Sequence, residues 1–306
     1  DMGDAKVFSV LDVTSGFWTI PLTEESSFLT TFATPFGRYR FLRMPFGIST
    51  GSEVFQKSME QVFENVPCKI FVDDILVWGR TLEEHDDHLR QVLSRAQEIN
   101  IKLNRSKCKL RVREVRYLGH LLTDQGLKAD PAKVQAITEY PQPKDQAALQ
   151  RFLGMLNFLG KFIPQHSQLT ASLRELLKKD NEFRWDAEHT KAFENLKTTI
   201  TSPPVLAYFD VNKPVTLTCD ASKDGLGAAC LQDGKPVAYA SRAMTQTETR
   251  YAQIEKELLA VLFACKRFNQ YIFGKKIIIE SDHQPLASIL KKPMHLAPIR
   301  LQRMML

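Results

Sequence analysis

Two adjacent carboxylates, Asp73 and Asp74, interrupt the apolar run Ile70-Phe71-Val72-Asp73-Asp74-Ile75-Leu76-Val77-Trp78. As the tip of a hairpin, the pair has a plain reading as a polar turn. Such a turn favours Gly or Asn beside the Asp, whereas here apolar residues run up to both acids. Repulsion between like charges so placed is relieved by a cation. Mg²⁺ prefers hard oxygen ligands and completes its shell with water and phosphate oxygens. A third acid, Asp12, ends the apolar stretch Val7-Phe8-Ser9-Val10-Leu11-Asp12. Alone, it reads as a strand-end solvent contact. Beside the hairpin, it completes a set able to share two metal ions. Two metals roughly 3.5–4 Å apart stabilise both the attacking and the leaving oxygen of an in-line phosphoryl displacement.

A second set lies far along the chain. Asp220 closes "VTLTCD", Glu257 sits in "TRYAQIEKELLAVLFA", and Asp282 closes "KIIIESD". Two strand ends and one helix can bring three acids to one spot. Singly, Glu257 reads as a solvated helix residue and Asp220 as a turn former. Glu255, two residues from Glu257, points elsewhere on the helix. His85 and His88 are three apart in "EEHDDHL", a spacing that permits metal binding. No cysteine or third histidine stands at matching spacing, so zinc is a poor competitor. The acids of that segment more simply favour a helix N-terminus. His283, next to Asp282, has no role assignable from its position.

The elements that must carry these residues are legible in outline. Residues 7–12 read as a buried strand and 38–43 as a half-exposed one. Apolar residues at helical spacing cover Ser49 to about Glu64. Thr81 and Glu84 fit a capping box for a long helix with a face of Leu82, His85, Leu89, Val92, Leu93, Ala96 and Ile99. "VRYLGHLLT" is strand-like. Asp130-Pro131 starts a helix and "YPQP" breaks it. Another helix carries Leu149, Phe152, Leu153, Leu156, Leu159 and Ile163. Two more fill 169–200, so 126–204 reads as all-helical. Three strands follow, "VTLTCDAS", "LGAACLQ" and "PVAYASR", the last two joined at Asp233-Gly234. Thr245 and Glu248 form a second capping box, with a helix face of Tyr251, Ile254, Leu258, Val261, Leu262, Cys265 and Phe268 behind it. "KIIIESD" is a fourth strand.

Length and charge agree with this division. The 306 residues are 43% hydrophobic and 25% charged, enough for two or three domains. A net charge of +6 favours an anionic partner, nucleic acid being the commonest. Five scattered cysteines without a CxxC pair point to reduced thiols inside a cell, and argue against a zinc ribbon or a disulfide scaffold. No signal peptide or membrane-length apolar run is visible. The first residue is Asp1 rather than Met, as in a segment of a longer polypeptide.

Four motifs in order, "FSVLDVTSGFWTIPL", "FLRMPFGISTGSEVFQKSM", "IFVDDILVWG" and "VRYLGHLLT", resemble the palm of a reverse transcriptase. They are most similar to the polymerase polyprotein of gypsy-type long-terminal-repeat retrotransposons. "TCDASKDGLGAA", "YAQIEKELLAVLFA" and "IIIESDHQPL" resemble the ribonuclease H domain of the same polyproteins. The resemblance covers essentially the whole chain. It implies an α+β, multidomain fold: 1–125 a palm with partial fingers, 126–204 a helical thumb and connection, and 205–306 a ribonuclease H-like mixed α/β domain. It makes Asp12 and Asp73 the metal-ligating catalytic aspartates, with Asp74 in support. Phe17 takes the place of the aromatic under the incoming sugar, excluding a 2′-hydroxyl, although core packing beside Trp18 is its plain alternative. Pro45, Phe46 and Gly47 match the loop near template and incoming nucleotide. Lys107 approaches the triphosphate or belongs to a solvated basic face. Leu118, Gly119 and His120 match the hairpin that grips the primer.

By the same resemblance, Asp220, Glu257 and Asp282 hold two Mg²⁺ (Mn²⁺ as a substitute) and activate water against the RNA strand of an RNA–DNA hybrid. Glu257 is chosen because "KELLA" matches the family register. The implied partners are an RNA template, a DNA primer, RNA–DNA hybrid, deoxynucleoside triphosphates, and the protease and integrase segments of the polyprotein, with no membrane. The implied setting is the cytoplasm or element-encoded particles, with access to the nucleus. The family pattern extends beyond both ends, with fingers before "FSVLD" and a further strand and helix, bearing a fourth carboxylate, after "RLQRMML". A catalytically incomplete nucleic-acid-binding remnant is therefore the alternative. An unrelated metal-dependent phosphohydrolase does not explain two acid clusters flanking a helical segment.

Overall fold

The computed structural model describes residues 2–178, 181–282, 285–286 and 298–305. The chain forms two compact units: Asp4–Leu118 with Leu122–Asp124, and Gln125–Leu306 with Asp1–Gly3 and Gly119–Leu121. Both mix helices with sheets whose strands are mainly antiparallel.

In the first unit a four-stranded sheet has the order Lys69–Phe71, Asp74–Gly79, Val7–Asp12, Lys109–Val112. Phe8, Ser9, Val10 and Leu11 are all buried. Both faces of that strand are covered, so it reads as a continuous apolar run rather than an alternating one. The helices Gly51–Val62 and Leu82–Glu98 supply Phe55, Met59, Leu89 and Val92 to the core around Leu11, Ile75 and Val77. The Thr81 hydroxyl accepts from the Glu84 N–H at 3.2 Å, while Glu84 reaches Arg80 N–H at 2.6 Å, one residue short of the reciprocal box. The strand expected over 38–43 is shorter. Gly37–Tyr39 pairs with Phe32–Thr34, after which Thr30 Oγ1 takes the Phe41 N–H at 3.0 Å and draws the chain off the ladder.

In the second unit, Leu149, Phe152, Leu156, Phe193, Leu196 and Ile200 form one core. The helices are Pro131–Thr138, capped by Asp130, then Gln146–Phe158 and Ala187–Thr201, with short turns between. The stretch 126–204 is not all-helical. Gly126–Ala129 is a strand, and Leu127 bridges to Leu206 through paired backbone bonds of 2.7 and 2.9 Å. A four-residue segment is too short for the helical period to be distinguished from a strand by pattern.

A separate core surrounds a four-stranded sheet ordered Lys235–Ala243, Gly225–Gln232, Val215–Ala221, Ile277–Glu280. The first three strands are antiparallel, and the last runs parallel to Val215–Ala221. The helix Gln253–Arg267 lays Leu258, Ala260, Val261 and Ala264 on this sheet. The Thr245–Glu248 box is made reciprocally, at 2.8 and 3.3 Å, but it caps a short 3-10 turn. The long helix starts later, at Gln253, because Tyr251 takes an extended conformation. All five cysteines are free thiols. Among the described residues, no helix is long and apolar enough to cross a membrane.

Candidate active sites

The first acid set is built by strand pairing. Asp12 faces Asp74 across the Val7–Asp12/Asp74–Gly79 ladder, and the Val13 N–H donates to the Asp73 carbonyl at 2.8 Å. Asp74 opens its strand, paired with Phe71, so Val72 and Asp73 form the two-residue turn. Val72 adopts φ 51°, a left-handed conformation. A β-branched residue pays roughly 1–2 kcal/mol there, and such strain persists only where its surroundings impose it. Gln56 imposes it. Its Oε1 accepts the Val72 N–H at 2.6 Å, while its Nε2 donates to the Ile70 carbonyl at 3.0 Å and to Glu60 at 2.8 Å. One side chain thus clamps both sides of the turn that carries Asp73.

Burial raises the pKa of Asp73, and the charges of Asp12 and Asp74 raise it further. Asp74 is raised by burial and then by Asp12. Lys107 opposes both shifts. It lies 3.4 Å from Asp12 Oδ1, brought there by a turn in which Asn104 Oδ1 accepts from Ser106. The Tyr117 hydroxyl is pushed up to about 12, by burial first and then by the Asp74 charge. Three carboxylates with one exposed lysine leave this cluster short of positive charge, yet among the described residues only the second acid set brings three such oxygens within 4.8 Å of one another.

The Phe17 ring packs edge-on against Phe46 and Phe55, with centroids 5.1 and 5.3 Å away. Phe46 is itself exposed, and Gly47 turns the chain with φ 93°. A Cβ on Gly16 would stand 2.3 Å from Phe55 and 3.0 Å from Asp73 Oδ1. Gly16 therefore lets the Phe17 segment and the Asp73 turn close on each other. Neither Gly16 nor Gln56 is conspicuous in the sequence, since a glycine in a turn and a glutamine on a helix are both ordinary.

Leu118 and Gly119 form the turn between the strands Glu114–Tyr117 and His120–Thr123, with φ of 48° and 72°. Leu118 is exposed and groups with the first unit; Gly119 and His120 group with the second. His120 stacks on Phe158 at 5.1 Å, and its pKa is lowered to about 4 by burial, then by Lys161 and Lys133. Its imidazole is thus neutral at physiological pH.

The second acid set converges. Oxygens of Asp220, Glu257 and Asp282 lie within 4.8 Å of one another, Glu257 buried and the two aspartates exposed. Gln253, one helical turn before Glu257, donates to Glu257 Oε1 at 2.5 Å and to the Ala221 carbonyl at 3.3 Å. It therefore fixes the buried carboxylate to the strand that bears Asp220. Glu255 turns away, taking the Ala252 N–H at 3.0 Å and pairing with Arg300 at 2.8 Å. The i, i+4 spacing of Gln253 and Glu257 is the signal that sequence could have offered. Three carboxylates from two strands and a helix suit an oxygen-seeking divalent cation. His283 lies outside the described residues.

His85 and His88 have other partners than a metal. His88 Nδ1 meets the Trp78 carbonyl at 2.8 Å. His85 Nε2 meets Ser9 Oγ at 2.8 Å, and His85 Nδ1 meets Asp86 at 3.2 Å. Arg111 then grips Asp86 with two bonds of 2.8 Å. The order Ser-His-Asp is that of a nucleophilic triad, but Ser9 and His85 are both 0% exposed, so no substrate reaches them. The chain ties the strand Val7–Asp12 to the helix Leu82–Glu98.

Comparison with known proteins gives consistent matches. Residues 1–122 match the family described as reverse transcriptase (RNA-dependent DNA polymerase). Residues 185–279 match the RNase H-like domain found in reverse transcriptase. The chain is 37% identical over 298 residues to the retrovirus-related Pol polyprotein from transposon 297 of Drosophila melanogaster, covering 95% of this chain and 28% of that protein. It is 33% identical over 302 residues to the corresponding polyprotein from transposon gypsy, covering 94% and 29%. Foamy viral protease–reverse transcriptase superposes with a TM-score of 0.88 when bound to double-stranded DNA, at 26% identity, covering 98% of this chain and 54% of that one. Bound to RNA/DNA hybrid, the same viral protein gives 0.84, at 26% identity and 97% and 42% coverage. The chain thus spans less than a third of the length of these two transposon relatives.

Proposed function

This chain belongs to the retrovirus-related polymerase polyproteins of long-terminal-repeat transposons, with a reverse transcriptase domain followed by a ribonuclease H-like domain; from that premise we propose that it carries both RNA-directed DNA polymerase and ribonuclease H activity. The observation that carries the reading is the convergence of Asp220, Glu257 and Asp282 on one point. Three acids gathered from distant parts of the chain repel one another, and a cation among them would relieve that repulsion. We propose Mg²⁺ in each site, two ions per site. When bound, they would stabilise the attacking and leaving oxygens of phosphoryl transfer.

The protein's own part is positioning. Gln253 holds the Glu257 carboxylate against the strand that bears Asp220. In the other unit, Gln56 holds the Asp73 turn, and Lys107 stands free to move from Asp12 to a triphosphate oxygen. Phe17, wedged edge-on by Phe46 and Phe55, is stiff enough to exclude a 2′-hydroxyl. Leu118, Gly119 and His120 would meet the primer end. The proposed substrates are deoxynucleoside triphosphates, an RNA template with a DNA primer, and RNA–DNA hybrid. The proposed division is a palm with partial fingers over 1–125, a thumb and connection over 126–204 and a nuclease over 205–306, acting in the cytoplasm or in element-encoded particles beside protease and integrase segments.

Primer extension on an RNA template, with parent and Asp73→Asn chains, tests the polymerase half. Extension by the parent alone supports the reading. Equal extension by both would show that Asp73 does not carry the reaction, and retained nucleic-acid binding without extension would assign this unit a binding role.

A further inference from the structure

The hairpin of Phe32–Thr34 and Gly37–Tyr39 stands as a sheet of two strands, and no third strand among the described residues pairs with it. Two strands alone are marginal in water; further strands or a covering layer make a sheet stable. One face has such cover. Phe32 stacks on Phe41 at 5.1 Å, and Phe41 meets Trp18 at 5.5 Å. The edges have none, and apolar side chains cluster around them. Leu29 and Phe36 are the two most exposed large apolar residues described, at 89% and 88%, and Phe28 adjoins them, also exposed. Exposed apolar surface gathered in this way marks a place of association.

Charge decides which edge associates, and with what. The strand Gly37–Tyr39 carries Arg38, and Arg40 follows it. Two copies meeting along that edge would set cation against cation, which destabilises a sheet. A nucleic acid would be drawn to the same arginines. The strand Phe32–Thr34 carries no charge, and Phe28 and Leu29 end the helix just before it. An uncharged edge with apolar flanks suits a second copy of itself. Under a two-fold axis, a three-residue strand pairs antiparallel about its centre. Ala33 then stands opposite its own counterpart, and Phe32 opposite the counterpart of Thr34. We infer that Phe32–Thr34 is the seam of a homodimer in which two hairpins join into one four-stranded sheet, with Phe28 and Leu29 covered. Pairing fixes the hairpin, and with it the row of rings Phe32, Phe41, Trp18 and Phe46 that ends on Phe17. The inference stands apart from both catalytic readings, since it needs no acid, metal or nucleic acid.

Sedimentation equilibrium of the full chain, free of nucleic acid, is the test. A small seam gives a Kd on the order of micromolar, so at roughly 50 μM the parent is mainly dimer. Ala33→Lys sets like charges face to face across the two-fold and weakens association at least about tenfold. Ala33→Glu does the same. Ala33 is exposed, so both variants keep the parent's urea midpoint. Mixed in equal amounts, the two variants associate with each other at least as tightly as the parent, because opposite charges then meet across the seam. Arg38→Ala, on the other edge, leaves association unchanged. A parent that stays monomeric overturns the inference, as do single variants that associate like the parent. A mixture that stays monomeric overturns it too, since Ala33 then lies away from any two-fold. A parent that associates only when single-stranded RNA is added assigns the hairpin to nucleic acid and overturns the seam.

Discussion

Replacing Gln56 with alanine removes the clamp on the Asp73 turn. Its two hydrogen bonds to the turn are lost, from the Val72 N–H at 2.6 Å and to the Ile70 carbonyl at 3.0 Å, along with the exposed one to Glu60. At about 1 kcal/mol each, and more where a half-buried N–H is left without a partner, the cost is about 2–3 kcal/mol. Because Val72 is held at φ 51°, part of that energy holds a strained turn. Without the clamp the turn relaxes and Asp73 shifts relative to Asp12. A displacement near 1 Å in a reacting constellation costs on the order of 10²-fold in rate. Val72→Gly removes the penalty of the left-handed conformation, about 1–2 kcal/mol. The two changes must therefore couple. Stability is measured by urea denaturation, and rate by primer extension, for Gln56→Ala, Val72→Gly and the double variant. The clamp predicts that Gln56→Ala costs about 1 kcal/mol more in the Val72→Gly background, where no strain is released when the clamp goes, with part of the extension rate restored because glycine keeps the turn without a clamp. Equal costs in both backgrounds would show that Gln56 does not hold the turn.

Gly16→Ala places a methyl 2.3 Å from Phe55 and 3.0 Å from Asp73 Oδ1; overpacking should destabilise the first unit by about 1–3 kcal/mol, read as a lower urea midpoint. His85→Ala empties a fully buried site and leaves Ser9 Oγ only the Arg111 N–H as a partner, so about 2–4 kcal/mol should be lost in the same assay, whereas zinc chelation of the parent should change nothing. His166, buried with its Nε2 unbonded, has its pKa lowered from 6.5 to about 4, by burial first and then by Arg174. The unfolded chain takes up this proton below pH 6.5 and the folded chain only near 4, so stability is full above that window and falls by about 3 kcal/mol across it. His166→Gln should remove this share of the profile and leave the share from His120, which is lowered over the same window.

The acids were legible because their surroundings made them anomalous. Asp73 and Asp74 break an apolar run, and Asp220 and Asp282 close apolar strands. Local signals also sufficed for the Asp130-Pro131 helix start and the Asp233-Gly234 hairpin, where turn and cap chemistry act within a few residues. Residues that act only through distant partners were not legible. Gln56 reaches a turn 16 residues away, and Ser9 reaches His85 across 76. Nothing in the local pattern of either marks it. The strand Gly126–Ala129 was missed for another reason: four residues are too few for a strand to be told from a helical turn by pattern. The Thr245–Glu248 box was read correctly as chemistry and wrongly as a boundary, because a cap satisfies a 3-10 turn as well as a long helix.

Whether the acids at the ribonuclease H-like sheet form a working site decides what this chain does. The direct measurement is cleavage of a labelled RNA–DNA hybrid in Mg²⁺ by the purified chain, beside an Asp220→Asn, Asp282→Asn double variant. Cleavage of the RNA strand by the parent and none by the variant is the predicted result, and it means that Asp220, Glu257 and Asp282 suffice. Intact hybrid with both proteins, while both still bind it, would contradict the account and leave this chain a nucleic-acid-binding protein that turns nothing over.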